Sequence, residues 1–467
     1  MVTTLQPKTP HTIKLEFSDE PVTSFGGLVL AEKAAARLGL WSTLAGLLPA
    51  RRGDYDWPTA VKSMIMGLLS GAQGTFATQA LRRDEALLGL LSLAGAPEEA
   101  TAWRMLRPLG ELDSKHSLAR VLAILARRTL EKMARPELLL EGFVPVFADG
   151  TLLEGSAARE GTKYLREKGR GLMWSTVFVG PVLAAERLAG VGEGEHGCVR
   201  ALLAEVDQSV LRPLKLHGQA LVLADSLHGD DSTLKQLEQA HLHYIVGARK
   251  LALSETTLME QPETVWEDTG ARRNWGWSAS GACVCWLQCE GWAHKRLLVG
   301  RRWKPEGEML WHYAGVLTDL RERDVAAMRG RGLSLARAIW RLYDAKAGME
   351  TLYQNGLSDL GLHYPPCRAL VRNRGFYGVA ALAWTLGTAV DVLGGAGEDR
   401  GRLRRQDGGE RARSTPKRMR LWRLRRELFA LPGRVACHAR ALKVRLLGLA
   451  VSTRQIFERY WENLCRC

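Results

Sequence analysis

The chain has 467 residues, which corresponds to two to four domains at roughly 150 residues per domain. With 46% hydrophobic and 25% charged residues, its composition excludes a collagen-like chain, global disorder and a small disulfide scaffold. The formal net charge is +15, and residues 400–467 hold 19 Lys or Arg against 5 Asp or Glu, a net of +14. A segment this basic favours a polyanionic partner, with nucleic acid ahead of an anionic membrane.

Targeting and cysteine patterns point to an ordinary intracellular chain. Residues 1–11 lack the apolar region of a signal peptide. The longest apolar stretch, residues 376–390, is shorter than a bilayer span, so we expect a buried helix and no membrane partner. Cys283, Cys285 and Cys289 alternate as on one face of a strand, with no second pair at zinc-site spacing, which favours reduced thiols in a cytoplasm over a metal site.

The hydrophobic period changes along the chain. Apolar residues at three-and-four spacing predict an all-helical N-terminal domain, residues 1–140, which we expect to bind DNA ends. Short apolar runs at residues 143–148, 174–180, 187–191, 220–224 and 243–248 then predict strands, with a helix near residues 199–206. Strands mixed with helices in this order predict an α/β fold class with a mixed sheet.

The second half of the chain divides further. Residues 141–255 and 321–395 would form the two parts of the α/β core, separated by a mostly β insertion, residues 256–320. A basic linker and tail, residues 396–467, would follow, with Leu421, Leu424 and Leu428 on one helical face. The insertion holds seven of the fifteen tryptophans, most of which we expect to form its own core: Trp266, Trp275, Trp277, Trp286, Trp292, Trp303 and Trp311.

Two of the apolar strands stop at an acid, Asp149 and Asp225. Mg²⁺ prefers oxygen ligands and is usually held by one or two carboxylates together with substrate phosphates. A third carboxylate, Glu350, lies on a predicted helix with Tyr343 and Lys346 at spacings that place all three on one face. A hydroxyl, a cation and a carboxylate side by side suit a phosphate held against a metal ion.

Each of these residues also has an ordinary structural interpretation. Asp149, followed by glycine, could form a turn, Asp225 could cap the next helix, and Lys346 and Glu350 could form a surface ion pair. Phosphatases whose nucleophile loop reads Asp-x-Asp-Gly-Thr need a carboxylate two residues before the second Asp. That residue is Phe147 here, which excludes their chemistry.

The order of these motifs resembles that of the insertion-sequence transposases with an Asp-Asp-Glu active site, in particular the branch with a Tyr-x2-Arg-x3-Glu-x6-Lys signature. The similarity extends from Ser24-Phe-Gly-Gly-Leu to Ala441-Leu-Lys-Val-Arg-Leu. It includes Phe147-Ala-Asp-Gly-Thr, Leu223-Ala-Asp-Ser and Tyr244-Ile-Val-Gly-Ala-Arg. The resemblance implies an RNase H-like catalytic core interrupted by the β insertion.

The resemblance also implies roles for particular residues. Asp149, Asp225 and Glu350 would be the catalytic, metal-binding triad for two Mg²⁺ ions, with Mn²⁺ as a substitute. Tyr343 and Lys346 would hold DNA phosphates. A tryptophan of the insertion would stack on a flipped base, and we take Trp275 and Trp292 as candidates.

Cut-and-paste transposition would follow, by hydrolysis and strand transfer at the element ends. The expected partners are double-stranded DNA, as terminal inverted repeats and target, and a second copy of the chain in a synaptic homodimer. The expected location is a bacterial cytoplasm, at the nucleoid when DNA is bound. The basic tail would add sequence-independent phosphate contacts or would be a solvated extension.

Two positions depart from the signature. Lys346 stands where the family has Arg, which removes the bidentate fork that suits a phosphate. Leu357 stands where the family has Lys, and Arg368, Arg372 or Arg374 could supply the missing cation. The alternative is therefore a catalytically inactive or host-reused DNA-binding protein derived from a transposase, and a third reading is a nuclease that cuts DNA without strand transfer.

Overall fold

A computed structural model of the chain describes residues 19–112, 117–165, 169–190, 195–248, 252–272, 275–396, 419–438 and 441–467. The strands are β1 (Val22–Thr23), β2 (Val144–Glu154), β3 (Lys163–Leu165), β4 (Gly169–Val179), β5 (Val182–Ala189), β6 (Ala220–Ala224), β7 (His243–Gly247), β8 (Glu267–Asp268), β9 (Trp277–Leu287), β10 (Arg296–Pro305), β11 (His312–Thr318), β12 (Gly433–His438) and β13 (Ala441–Leu446).

The helices of the first half are α1 (Val29–Arg37), α2 (Leu40–Leu47), α3 (Trp57–Ser70), α4 (Ala77–Arg82), α5 (Glu85–Leu90), α6 (Glu99–Glu111), α7 (Leu118–Lys132), α8 (Arg135–Leu138), α9 (Glu195–Val206) and α10 (Asp231–Gln239). Those of the second half are α11 (Ala252–Met259), α12 (Ala326–Arg329), α13 (Leu335–Tyr343), α14 (Gly348–Asp359), α15 (Leu370–Ala389), α16 (Leu421–Leu424) and α17 (Val451–Arg466).

A large mixed sheet lies at the centre of the protein and confirms the predicted α/β class. Its order is β3-β4-β2-β6-β7-β11-β10-β9-β8. Strand β5 pairs with β4 over Met173–Val179, beyond the residues that pair with β3. Strand β2 is antiparallel to β4 and parallel to β6, which is parallel to β7. The fully apolar run of β6 is buried along its whole length, as expected for a strand with parallel neighbours on both sides.

The sequence pattern predicted that strand β2 stops at Asp149, but the strand continues to Glu154. Its parallel pairing with β6 ends at Ala148, opposite Ala224, but its antiparallel pairing with β4 continues to Glu154. The backbone beyond Asp149 therefore keeps hydrogen-bond partners on one side only. That asymmetry leaves space beside Asp149 on the side where β6 has ended.

The strands of the insertion extend the core sheet. Strand β11 pairs with β7, β10 pairs with β11, and β9 pairs with β10 over almost its full length. Among its seven tryptophans only Trp266 is fully buried, so the prediction that most of them form a core was wrong. Several stack against arginines, two of which, Arg296 and Arg302, are buried, because a guanidinium binds an aromatic face.

Helix α15 is the centre of the helical part and packs on α6, α7, α3 and β5. The segment Leu370–Gly394 is long and apolar enough to cross a membrane by length and composition, but 94% of its apolar window is buried inside the protein. This confirms the predicted buried helix. Gly375 allows a close crossing with α6, since a Cβ there would overlap the carbonyl oxygen of Leu106.

The C-terminal residues that the structure describes form a folded unit on the N-terminal helices. Strand β12 pairs with β13 and with β1, and α17 packs on α1. Leu421, Leu424 and Leu428 are all buried, which confirms their common face. Residues 397–418, which include most of the predicted linker, lie outside the described residues.

We expect Gly375→Ala to lower the free energy of unfolding by about 1–3 kcal/mol, because the added methyl group would push α15 away from α6. Urea denaturation would measure the change. Gly89→Ala in α5 is the matched control, since a methyl group there meets open space and alanine is the better helix former by about 1 kcal/mol. Equal effects of the two substitutions would contradict the close-crossing interpretation.

Strand β5 carries a carboxyl group in an unusual environment. The indole Nε1 of Trp174 donates a hydrogen bond of 2.8 Å to Glu186. Burial raises the pKa of Glu186 to about 7, the Trp174 hydrogen bond opposes that shift, and the nearby charge of Glu205 adds to it. Between about pH 4.5 and 7, Glu186 therefore keeps a proton in the native protein that it has lost in the unfolded chain.

Glu186 should make stability fall as pH rises through that window. Below pH 4.5 the group is protonated in both states, and above pH 7 the native state bears the full cost of an ionised buried carboxylate, about 3 kcal/mol. Glu186→Gln keeps an acceptor for Trp174 and should remove this decline. Unfolding free energies measured from pH 4 to 8 would test it, and an unchanged pH profile in the variant would contradict the assignment.

Candidate active site

Parallel pairing brings two predicted carboxylates to the same edge of the sheet. Asp149 follows Ala148 on β2, Asp225 follows Ala224 on β6, and these two alanines are opposite each other in the register. The side chains of Asp149 and Asp225 are 23% and 39% exposed, so both reach solvent at the carboxyl ends of their parallel strands. The sequence-predicted pair is thus adjacent.

The Asp149 carboxylate is held from two sides. The backbone N–H of Gly150 donates to its Oδ1 at 2.9 Å, and Lys346 Nζ lies 3.5 Å from its Oδ2. Burial raises the pKa of Asp149, the Lys346 charge opposes the rise, and the nearby Asp225 carboxylate adds to it. Lys346 therefore pairs with Asp149, and the surface ion pair with Glu350 is not required to explain its position.

Asp225 has a structural contact as well as an exposed oxygen. It begins a short 3-10 turn, and its Oδ1 accepts a hydrogen bond of 3.0 Å from the backbone N–H of Leu227. The buried imidazole of His228 lies with Nε2 3.7 Å from the same oxygen. The capping interpretation holds for Oδ1, and the side chain as a whole is 39% exposed.

The other predicted residues lie on and beside a 3-10 turn that joins two helices. Helix α13 ends at Tyr343, a 3-10 turn spans Asp344–Ala347, and α14 begins at Gly348. The 3-10 turn keeps Tyr343 and Lys346 on one side of the helix, because residues three apart are eclipsed in that geometry, and this agrees with the common face predicted for these two residues. The backbone of Glu350 lies in the first turn of α14, and its side chain lies outside the described residues.

Tyr343 reaches the end of β6. Its hydroxyl donates to the carbonyl oxygen of Ala224 at 3.3 Å. Burial raises the pKa of Tyr343 well above its usual value, and the charges of Asp225 and Asp149 raise it further, so the phenol stays protonated. Gly247 permits this approach, since a Cβ there would lie 3.0 Å from the Tyr343 hydroxyl and closer still to the backbone of Ser226.

Tyr353 is a residue of the site that sequence reasoning missed. Its hydroxyl donates to the carbonyl oxygen of Asp149 at 3.0 Å and contacts the hydroxyl of Thr176 on β4. It therefore connects α14 to the backbone of the residue that carries the first carboxylate. The available signal was its position three residues after Glu350, one helical turn along the same helix.

Arg301 of the insertion is a second missed residue. Its guanidinium donates two hydrogen bonds of 2.9 Å to Asp344, the first residue of the 3-10 turn. It also lies 4.0 Å above the ring of Trp340, whose indole donates to the carbonyl oxygen of Gly300. We call this group of Arg301, Asp344 and Trp340 the insertion clamp. It attaches β10 to the end of α13 and to the 3-10 turn, which hold Tyr343 and Lys346.

The two candidate stacking tryptophans lie at opposite ends of the β9–β10 hairpin. The ring of Trp275 is 5.6 Å from the guanidinium of Arg301 and is 38% exposed, so it lies beside the insertion clamp. Trp292 lies beyond the other end, where Arg296 is 4.6 Å above its ring. Of the two, only Trp275 lies at the edge of the sheet where the parallel strands end and the carboxylates lie.

The positions that depart from the signature have local explanations. Leu357 is buried on α14, so a lysine at this position would face the protein interior. The guanidinium of Arg372 lies 3.5 Å above the ring of Trp103, and Arg374 donates to the carbonyl oxygen of Leu188. Both arginines therefore bind within the protein, and Arg368 stays the exposed candidate for the missing cation.

The donor set fits a hard divalent cation in chemical type. Asp149 and Asp225 supply carboxylate oxygens, which Mg²⁺ prefers, and the pKa of Asp149 is raised first by burial and then by the charge of Asp225. Within the ranges that the structure describes, no cluster of three or more His, Cys, Asp or Glu is placed to hold a metal ion. A third ligand would have to come from Glu350, whose side chain falls outside those ranges.

No protein-family model matches the chain, and no curated protein matches its sequence. Among solved structures, the chain is distantly similar to a piggyBac transposase in a synaptic complex with hairpin DNA, solved by cryo-EM. The two share 11% sequence identity, with a TM-score of 0.39 over 88% of this chain and 82% of that one. A TM-score at this level does not establish a common fold, so the geometry of the site is the better guide to function.

Asp344→Asn tests the insertion clamp. We expect a loss of about 1–3 kcal/mol in the free energy of unfolding, because the largely buried Arg301 would lose its charged partner and one of two acceptors. Urea denaturation gives the measurement. Arg337→Gln is the control, since that exposed cation lies 3.7 Å from Glu267 in a surface pair and should change stability by less than about 0.5 kcal/mol. Wild-type stability in Asp344→Asn would show that the clamp contributes nothing.

Proposed function

We propose that the chain is a DNA transposase that hydrolyses and transfers phosphodiester bonds at the ends of an insertion sequence. The observation that carries the proposal is the adjacency of Asp149 and Asp225 at the ends of parallel strands. Tyr343, at the end of α13, and Lys346, in the 3-10 turn that follows, reach the same point. The strand order β5-β4-β2-β6-β7 supports an RNase H-like core, since three antiparallel strands are followed by two parallel ones.

The carboxylates of Asp149, Asp225 and Glu350 would hold two Mg²⁺ ions, and Mn²⁺ is expected to substitute. Bound there, the ions would activate an attacking water or hydroxyl and stabilise the leaving oxygen. Asp149 and Asp225 must be ionised to bind, and the Lys346 charge favours that state for Asp149. The neutral Tyr343 phenol and the Lys346 ammonium group would donate to phosphate oxygens of the DNA.

The substrate would be double-stranded DNA, as the terminal inverted repeats and then the target. We propose end recognition by the N-terminal helices, stacking of a flipped base on Trp275, and a synaptic homodimer with one active site at each end. The exposed face of Trp275 beside Arg272 and Arg301 supports the stacking role, because a base can bind a π face that cations border.

A second function has specific support. Lys346 replaces the arginine of the signature, and the buried Leu357 replaces its lysine. Loss of the bidentate fork at one position and of a cation at the other favours a catalytically inactive DNA-binding protein that keeps the transposase fold. The two functions differ in one measurable property, which is metal-dependent cleavage.

Cleavage of DNA that carries the ends of the element, with Mg²⁺ or with EDTA, separates these functions. We expect Mg²⁺-dependent cutting that Asp149→Asn, Asp225→Asn and Glu350→Gln each reduce by at least about 100-fold, because each would lose a metal ligand. Gel-shift assays in EDTA should show that these variants still bind the DNA.

Glu154→Gln is the control for the cleavage assay, since Glu154 is an exposed acid on the same strand as Asp149. It should cut like the wild type. Binding without cutting by the wild type would establish the non-catalytic function, and cutting that survives loss of Asp149 or Asp225 would refute the proposed site.

A further inference from the structure

The C-terminal hairpin presents three cations on one face. In the β12–β13 register, Arg434 is opposite Arg445 and Ala436 is opposite Lys443. Because side chains alternate between the faces of a strand, these four residues share a face. All four are exposed. We call this surface the ribbon face.

The other face of the hairpin holds it against the protein. Val435 is buried, Val444 packs against the core, and Gly433 approaches Gly26 so closely that a side chain on either would meet the backbone of the other. Strand β1 pairs with β12 on its free edge. The ribbon face therefore has a set orientation, and its cations point away from the core.

The ribbon face has more positive charge than its surroundings balance. Residues 433–446 contain four cations and no Asp or Glu. Glu20 lies 3.2 Å from Arg434, but in the described parts of the chain no carboxylate lies within ion-pair distance of Lys443 or Arg445. Like charges directly opposite each other destabilise a two-stranded ribbon. The repulsion between these cations would be relieved by a bound polyanion, so the ribbon face is complementary in charge to such a ligand.

We propose that the ribbon face binds the phosphate backbone of duplex DNA without reading its sequence. The choice of DNA rests on the proposed function, and the charge of the ribbon face supports it, since duplex DNA carries one negative charge per roughly 1.7 Å of helix axis. Lys443 and Arg445 are two residues apart, about 7 Å along the strand, so both can contact one phosphate chain. Among the four residues of the ribbon face only Ala436 is apolar, and an alanine is too small for insertion into a lipid surface.

Binding of a random-sequence 30-base-pair duplex to the full chain in EDTA tests the proposal. Lys443→Gln with Arg445→Gln should weaken binding about 10-fold or more at 100 mM salt. The slope of log Kd against log salt should fall by about 2, because each lost phosphate contact removes about 0.9 from it. Lys443→Arg should bind like the wild type, since it keeps the charge.

The control is Arg454→Gln with Arg466→Gln, which removes the same charge from exposed positions on α17 that pair with Glu458 and Glu462. This variant should keep the wild-type affinity and slope. Equal losses in both double variants would mean that net charge alone matters and would overturn the proposal, as would no loss in the ribbon variant. Thermal melts that match the wild type confirm that both variants are folded.

Vesicles containing phosphatidylserine provide the competing polyanion. Ribbon-dependent binding to these vesicles, with no ribbon-dependent binding to DNA, would overturn the proposal in favour of a membrane surface. Failure of cleavage together with ribbon-dependent DNA binding would refute only the transposase activity. Asp149-dependent cleavage with unaltered binding by the ribbon variants would refute only the ribbon proposal.

Discussion

The parallel pairing of β2 with β6 is the constraint on which the rest of the site depends. It ends at Ala148 and Ala224, so the next residue on each strand is an aspartate with its backbone at the same level of the sheet. Burial is the main cause of the raised pKa of Asp149, and the charge of the neighbouring Asp225 adds to it. Cations must therefore come to this point, and Lys346 is the cation that the chain itself supplies.

The insertion acts on this site through the clamp, although its strands are remote from Asp149 in sequence. Arg301 on β10 binds both carboxylate oxygens of Asp344 while it lies on the Trp340 ring. A bidentate guanidinium defines both the distance and the plane of its partner. The turn after Asp344 carries Lys346, so the position of the ammonium group depends on the insertion as well as on its own helix.

The C-terminal residues show a similar dependence on distant parts of the chain. The predicted tail is in its described part a hairpin and a helix that pack on the first helices, because Leu421, Leu424, Leu428 and Tyr460 bury apolar surface there. Among the described cations of this segment, Arg434, Lys443 and Arg445 are exposed, whereas Arg425 donates to the carbonyl oxygens of Leu68 and Leu69. High net charge and a folded core are compatible when the two sets of residues alternate.

Local sequence was enough to predict the features that follow from period and composition: the helical N-terminal part, the strands β6 and β7, the buried α15 and the pair of acids. Three features depended on contacts between distant residues. Strand β2 continues past Asp149 because β4 supplies partners, the helix tightens into a 3-10 turn after Tyr343 where Arg301 binds Asp344, and Tyr353 reaches the backbone of Asp149. Sequence by itself determined which residues could carry charge and chemistry, since those are properties of side chains. Tertiary structure decided which of them meet, since hydrogen bonds and ion pairs between residues far apart in the chain form only when the sheet and helices have packed.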